Sequence, residues 1–237
     1  MGKSSGNMYP WVAETRNFVG GECQHFCTYC YMKKIRFQTL KKYQGPARLV
    51  EKELTNLGEG KTIFVGSATD MWGDWVKDDI IYRVLEHCCK YDNTYLFQTK
   101  NPIRYFPFLK YLPKKTILGT TIETNREYED NLINKTWKDF YSKISKAPSP
   151  LDRVWAMEII KERKMVSIEP VKDLNVEVML DWMQRINPEF ISLGADSKGS
   201  NLPEPSKEKV EKLICELLKF TKVKIKKNLN RILYKEV

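Results

Sequence analysis

Histidine is scarce in this chain of 237 residues, which contains only His25 and His87. The sequence has no run approaching the roughly 18 consecutive apolar residues of a membrane helix. Residues 1–10 are polar and lack the apolar stretch of a signal peptide. No linker rich in Pro, Gly or Ser divides the chain, and no internal repeat is present. We therefore expect a cytoplasmic protein, with no membrane association, built as one domain.

Cysteine is also limited, but three of the six cysteines fall within eight residues as Cys23, Cys27 and Cys30. One short loop cannot bury three sulfurs independently, so this spacing predicts a common metal group. Zinc prefers four closed N or S ligands, and His25 sits in a cramped position inside the loop. An iron–sulfur cluster with three cysteine ligands would instead leave one iron open to a small molecule. The cluster is favoured, while zinc, a disulfide or a chance arrangement remain as alternatives.

The C-x3-C-x2-C spacing, with Tyr29 directly before the third cysteine, resembles the signature of the radical S-adenosylmethionine (radical SAM) superfamily. The resemblance implies a [4Fe-4S] cluster bound by Cys23, Cys27 and Cys30. It also implies that SAM binds the open iron and is cleaved reductively to methionine and a 5'-deoxyadenosyl radical. Tyr29 would then cover the cluster or approach the adenine, and a ferredoxin or flavodoxin would serve as the reductant.

Later segments extend the resemblance over about residues 17–230, with the layout of small single-cluster members related to spore photoproduct lyase and a phage-associated group. These segments read SATDMWGD, QTKNP, GTTIETN and SIEP, followed by a lysine-rich last strand. The lyase uses an additional cysteine in hydrogen-atom return. Cys88, Cys89 and Cys215 have no evidently equivalent position, so lesion repair does not carry over. We expect these three to be core or partly exposed thiols.

Strand, loop and helix alternate along the chain. The pattern predicts strands at 15–19, 62–66, 94–98, 116–122, 165–169, 189–194 and about 222–226. It predicts helices at 46–57, 78–90, 103–111, 151–163, 176–186 and 206–220. Such alternation is typical of parallel sheets with right-handed crossovers. We predict an α/β fold, a partial (β/α)6 TIM-like barrel with parallel strands, in which residues 1–16 form an N-terminal arm and 17–237 the barrel domain.

Polar residues recur where the predicted strands end, and the carboxyl ends of barrel strands form the active site in such folds. The superfamily pattern places the SAM amino group after the second strand, where Ser67 and Asp70 stand in place of the usual Gly-Gly-Glu. Lys100 is a candidate partner for the SAM carboxylate and a candidate catalytic residue. The remaining cofactor-binding candidates are Thr121, Glu123 and Asn125 near the ribose, Ser167, and Gly194 near the adenine.

Glu169 is the second catalytic candidate, because Ser-Ile-Glu-Pro places a carboxylate on a strand that otherwise reads as buried. A carboxylate in such a place needs a partner or a ligand. It could bind substrate or transfer a proton. A salt bridge with Lys100, Lys226 or Lys227 is the structural alternative.

The formal net charge is +10, from 40 basic and 30 acidic residues. Basic residues concentrate at Lys33, Lys34, Arg36, Lys41 and Lys42, and again at Lys219, Lys222, Lys224, Lys226, Lys227, Arg231 and Lys235. This charge favours a nucleic-acid or nucleotide substrate. A lysine-rich solvated surface explains it equally well. The other functional hypotheses are a radical SAM enzyme acting on a peptide or small metabolite, and a zinc-stabilised binding module without catalytic activity.

Overall fold

The structure is a computed structural model that describes residues 8–34, 41–126, 138–197 and 199–234. Chain contacts divide it into two compact units. The first consists of Met1–Gln24 and Met32–Gly119, and the second of His25–Tyr31 and Thr120–Val237. Arg36 and Lys235, two of the predicted basic residues, lie outside the described ranges.

The described strands follow the predicted order along the chain. They are β1 (Glu14–Arg16), β2 (Val19–Gly20), β3 (Arg48–Leu49), β4 (Thr62–Val65), β5 (Thr94–Thr99), β6 (Thr116–Thr121), β7 (Lys164–Ile168), β8 (Phe190–Leu193) and β9 (Lys222–Ile225). Seven of them form one sheet in the order β1-β4-β5-β6-β7-β8-β9, and β2 pairs with β3. The predicted seventh strand is therefore confirmed as β9.

Helices connect the strands of the large sheet. The α-helices are α1 (Asp78–Cys89), α2 (Lys138–Ile144), α3 (Pro150–Ile159), α4 (Val176–Ile186), α5 (Lys207–Leu217) and α6 (Asn230–Leu233). Short 3-10 helices cover Tyr31–Lys34, Lys41–Tyr43, Glu51–Glu53, Pro102–Tyr111 and Lys227–Leu229. The segment predicted as a helix at 103–111 is thus a 3-10 helix, with Pro107 inside it. Among the described ranges, no helix is long and apolar enough to cross a membrane.

In the first unit, β1 pairs parallel with β4, and β4 with β5. An aromatic group lies among the buried residues, with Trp72 edge-on to Phe97, Tyr105 and Phe108. The Tyr105 hydroxyl lies 2.9 Å from the carbonyl oxygens of both Phe97 and Gly119. These contacts fix the chain beneath the ends of β4 and β5.

The prediction of a helix at 46–57 is wrong. Arg48–Leu49 instead pairs antiparallel with Val19–Gly20, and only Glu51–Glu53 turns as a 3-10 helix. The Val50 amide donates to the Phe18 carbonyl at 2.8 Å, which binds this segment to a distant part of the chain. Strand pairing here outweighs the helical spacing of the apolar residues, because local propensity is weak against tertiary hydrogen bonding.

In the second unit, β7, β8 and β9 pair in parallel, so that Ser167, Ser192 and Lys224 lie side by side in register. Helix α3 begins with a capping box between Ser149 and Asp152. Helix α4 covers the predicted residues and is followed by Asn187 in the left-handed conformation that closes many helices. Helix α5 was predicted at 206–220 and ends three residues earlier, at Leu217.

Candidate active site

The cysteine loop carries three thiols that are free of disulfides. Cys27 is buried, while Cys23 and Cys30 are half-buried. A turn within the loop brings the Cys30 amide to 3.2 Å from the Cys27 carbonyl oxygen. Cys88 is buried, whereas Cys89 and Cys215 are exposed, as expected of core and surface thiols.

Cysteines outside disulfides suit an iron–sulfur cluster, because thiolates are its ligands and each one binds a different iron. Zinc would draw all its ligands around one ion, at about 2.3 Å for sulfur. Within the described ranges, no three Cys, His, Asp or Glu side chains are gathered as a site for one metal ion. Cysteine sulfurs are the donors that an iron–sulfur cluster requires, so the donor chemistry of Cys23, Cys27 and Cys30 fits the cluster that the resemblance implies.

The backbone of the loop is paired with residues 144–146. The Thr28 amide donates to the Ile144 carbonyl at 2.8 Å, and the Lys146 amide donates to the His25 carbonyl at 2.7 Å. Between these bonds, Phe26 has a φ of 47°. A left-handed residue other than glycine is costly and is retained where the surrounding structure holds it in place.

Ser145 adds a side-chain contact to this pairing. Its hydroxyl oxygen lies 3.1 Å from the Cys27 sulfur and 3.2 Å from the His25 carbonyl oxygen. A thiolate can only accept hydrogen bonds, so Ser145 would be the donor to Cys27 once that cysteine is deprotonated. The sequence analysis missed Ser145, since nothing in its local pattern links it to a loop that lies 118 residues earlier.

Glu123 lies at the centre of a buried network in the same unit. Its Oε1 accepts hydrogen bonds from the hydroxyls of Tyr29 and Tyr141, and its Oε2 lies 2.9 Å from Arg153 Nη1. Arg153 also donates to the Tyr141 hydroxyl, and to the Thr121 carbonyl at 2.8 Å. The side chains of Arg153 and Glu123 are 0% and 1% exposed.

Burial, and then the charge of Glu123, holds the pKa of Tyr29 well above its ordinary value. Burial alone would lower the pKa of Arg153, but Tyr141 and Glu123 raise it above its ordinary value. Both tyrosines are therefore neutral donors and Arg153 is a permanent cation. The network was missed because Arg153 and Tyr141 lie in helical segments that read as ordinary surface or core.

At the ends of β4 and β5, Asp70 organises the backbone of the first unit. Its Oδ1 accepts from the Trp72 amide at 3.0 Å. Its Oδ2 accepts from the Thr99 hydroxyl at 2.8 Å and from the Lys100 amide at 3.0 Å. Ser67, also half-buried, lies with its hydroxyl 3.2 Å from Asn17 Oδ1. The structure thus brings together Asp70 and the backbone of Lys100, two residues that the sequence analysis had placed in one site.

Thr121, the last residue of β6, and Asn125, which follows the strand, are both buried. The Asn125 side chain forms two hydrogen bonds with the backbone of Asn175, at 2.7 and 2.8 Å, where α4 begins. Ser167 on β7 is fully buried, and its hydroxyl has no hydrogen-bond partner among the described residues. The same holds for Ser192, its neighbour in register, so two polar atoms without partners lie side by side.

Glu169 forms an ion pair with Lys226 at 2.7 Å, and each side chain is 16% exposed. The Asn228 side-chain nitrogen lies 3.4 Å from Glu169 Oε1 and also donates to the Ala195 carbonyl at 2.7 Å. Of the three ion-pair partners considered from sequence, the structure selects Lys226. A Cβ on Gly194 would lie 2.9 Å from the Glu169 carboxyl group, so the missing side chain makes room for Glu169.

A cavity of about 480 Å³ lies where β8 and β9 end. Its lining includes Asp196, Leu202, Lys227, Asn228 and Arg231. Leu202 also packs against the buried group formed by Cys27, Tyr29 and Ile144. The cavity therefore lies next to the residues that flank the cysteine loop.

No family model matches the sequence, and no curated protein matches it either. Solved structures do match. A mutant of spore photoproduct lyase with bound AdoMet and dinucleoside spore photoproduct is 11% identical with a TM-score of 0.62, and the alignment covers 91% of this chain and 76% of the lyase. The chain shares the fold of this lyase.

Two further radical SAM structures are similar. Streptococcus suis SuiB, bound to precursor peptide SuiA, has a TM-score of 0.61 at 10% identity, covering 95% of this chain and 51% of SuiB. Methylornithine synthase has a TM-score of 0.51 at 14% identity, covering 90% and 64%. At these identities the likeness shows the fold. It confirms the predicted α/β partial TIM-like barrel of parallel strands.

Proposed function

We propose that this protein is a radical SAM enzyme that removes a hydrogen atom from its substrate. The observation that carries the proposal is the loop of three cysteines outside any disulfide, in a chain that shares the fold of spore photoproduct lyase. When bound, a [4Fe-4S] cluster supplies the electron for reductive cleavage of SAM. Cys23, Cys27 and Cys30 would hold three of its irons and leave the fourth to the amino and carboxylate groups of SAM.

The residues at the strand ends would orient SAM. We assign Ser67 and Asp70 to its amino group and Lys100 to its carboxylate, where an ammonium favours the negative charge. Thr121 and Asn125 are the candidates near the ribose. The Glu123 carboxylate, predicted for the same contact, is already engaged by three side chains. Ser167 is assigned to the adenine side, where its unpartnered hydroxyl is able to donate or accept. Gly194 was predicted for the same side, but the Glu169 carboxyl group occupies the space at Gly194.

For the substrate, we favour a nucleotide or nucleic acid. The net charge of +10 supports an anionic partner, and the similar lyase carries a dinucleoside in its solved structure. Glu169, with its ammonium partner Lys226, is assigned to substrate binding or proton transfer near the end of β7. The electron donor would be a ferredoxin or flavodoxin, and the reducing cytoplasm is the proposed compartment.

A peptide substrate is the second candidate, supported by the likeness to SuiB, which is bound to a precursor peptide. Several C-terminal cations already have acidic partners. Lys226 pairs with Glu169, and Arg231 pairs with Glu204. Nucleic acid that copurifies and is released by salt would favour the first substrate class, because phosphate binding weakens steeply with salt.

The test is anaerobic reconstitution with iron and sulfide, followed by a reductive SAM-cleavage assay. We expect about four irons per chain, and 5'-deoxyadenosine from the wild type but not from Cys27→Ala. Cys215→Ala is the matched control, because it removes an exposed cysteine outside the loop. Equal 5'-deoxyadenosine from Cys27→Ala would contradict the cluster assignment. Stoichiometric zinc in place of iron would favour the binding module.

A further inference from the structure

Tyr29 is the aromatic residue of the cysteine motif, and its side chain is buried. Its hydroxyl donates to Glu123, a residue 94 positions later that follows β6. The ring packs in a small apolar group with Cys27 and Ile144. The side chain of Tyr29 therefore links the loop to the structure after β6.

Glu123 can accept this bond because its charge is compensated inside the protein. Arg153 lies 2.9 Å from one carboxylate oxygen, and Tyr29 and Tyr141 donate to the other. A buried carboxylate is stable only when it is paired and hydrogen-bonded in this way. Arg153 is itself held by the Pro148 carbonyl at 2.9 Å, in the turn before α3.

Both backbone and side-chain contacts hold the loop within this unit. Residues 144–146 bind the backbone at His25 and Thr28, and they contact Cys27 through Ser145. After Thr28, Tyr29 adds its hydroxyl bond to Glu123. In the sequence, Tyr29 stands between two of the three cysteines, Cys27 and Cys30.

We propose that Glu123, held by Arg153, is a positioning residue that fixes the cysteine loop through the hydroxyl of Tyr29. Tyr29 then anchors the loop from its buried side, and Glu123 acts through Tyr29 rather than on the SAM ribose. This inference rests on the proposed function only for the identity of the group that the loop binds, the iron–sulfur cluster. The anchoring itself is a property of the protein without iron.

The test measures how fast each cysteine is alkylated in the folded, iron-free full chain, by mass spectrometry of the separate peptides. Cys27 reacts only when the loop opens, since it is 7% exposed. A hydrogen bond to a buried charged group changes such an opening equilibrium by at least about tenfold. We expect Tyr29→Phe to raise the alkylation rate of Cys27 by about tenfold. The rate of the exposed Cys215 should stay unchanged.

The matched control is Tyr105→Phe, which removes another buried tyrosine hydroxyl, in the first unit. It should leave the Cys27 rate at the wild-type value. Glu123→Gln is a second variant that keeps the side-chain shape, and it should also raise the Cys27 rate. Urea unfolding of each variant separates loop opening from global unfolding, which would also expose the buried Cys88.

A second measurement uses the reconstituted protein. Loss of the visible cluster absorbance to an iron chelator should be faster in Tyr29→Phe than in Tyr105→Phe. The proposal is overturned if both variants, Tyr29→Phe and Glu123→Gln, are folded and their Cys27 is alkylated at the wild-type rate. It is also overturned if Cys27 and Cys88 accelerate together, because that pattern means general destabilisation. Neither outcome depends on SAM cleavage, so failure of the proposed function would be seen separately.

Discussion

Two acid–base pairs in the second unit differ in what surrounds them. The Glu123–Arg153 pair is closed off from solvent and receives two tyrosine hydroxyls, whereas the Glu169–Lys226 pair is partly exposed. A charge that loses its partner inside a protein lowers the free energy of unfolding strongly, while a charge near the surface is solvated by water when its partner is removed. The first pair therefore belongs to the architecture around the cysteine loop. The second leaves its carboxylate partly exposed to solvent.

The largest expected effect comes from Arg153→Met, which would leave the Glu123 carboxylate buried without a cation. We expect a loss of about 3–5 kcal/mol in the free energy of unfolding. Urea denaturation followed by circular dichroism measures it. The double variant Glu123→Leu with Arg153→Met should recover part of the loss, because no uncompensated charge remains. If the free energy of unfolding of the single variant fell by less than about 1 kcal/mol, the Glu123–Arg153 pair would behave as an ordinary surface pair. The two pairs would then not differ in their contribution to stability.

Stability at alkaline pH provides a second distinction between the two pairs. The Tyr141 hydroxyl donates to Glu123 of the buried pair, whereas the contacts described for the partly exposed Glu169–Lys226 pair involve no tyrosine. Burial is the main cause that holds the pKa of Tyr141 well above its ordinary value. Above about pH 10 the unfolded chain releases this proton while the folded protein keeps it, so stability falls as pH rises. One such group contributes a slope of about 1.4 kcal/mol per pH unit.

Tyr141→Phe should reduce the total slope by that amount, while Tyr29, whose pKa is also raised by burial, still contributes. Urea midpoints measured between neutral pH and pH 11 would show the reduction. Lys226→Met serves as the control, because it leaves Tyr141 in place. An unchanged slope in Tyr141→Phe would mean that the hydroxyl already ionises as freely as it does in the unfolded chain.

The smallest effect on stability is expected from Lys226→Met. Both side chains of its pair reach solvent, so removing the ammonium should cost at most about 1 kcal/mol. The same urea experiment checks it against Arg153→Met. A loss as large as that of Arg153→Met would show that Glu169 is structural in the same sense as Glu123, and it would remove the reason for assigning Glu169 to substrate.

Much of the fold could be predicted, because apolar runs and helical spacing are local. The strands at 62–66 and 94–98 and the helix at 176–186 appear within a residue of their expected bounds. The helix at 46–57 failed because its outcome depends on pairing with Val19–Gly20. A local pattern contains no information about such a partner.

The candidate site divides in the same way. The spacing of Cys23, Cys27 and Cys30 identified the loop, and the order of strands identified which residues follow their ends. The partners of those residues came only from the structure. Glu123 was expected to face a ribose, but its carboxylate receives Tyr29, and the space above Gly194 is taken by Glu169.

By itself, the sequence determined the three-thiol loop, the alternation of strands and helices and the positive net charge, since each depends on residues close in the chain or on composition. The tertiary structure decided which charges are buried together and what holds the loop. Arg153 and Ser145 reach Glu123 and Cys27 across 30 and 118 positions. Contacts over such separations are decided by how the folded chain packs.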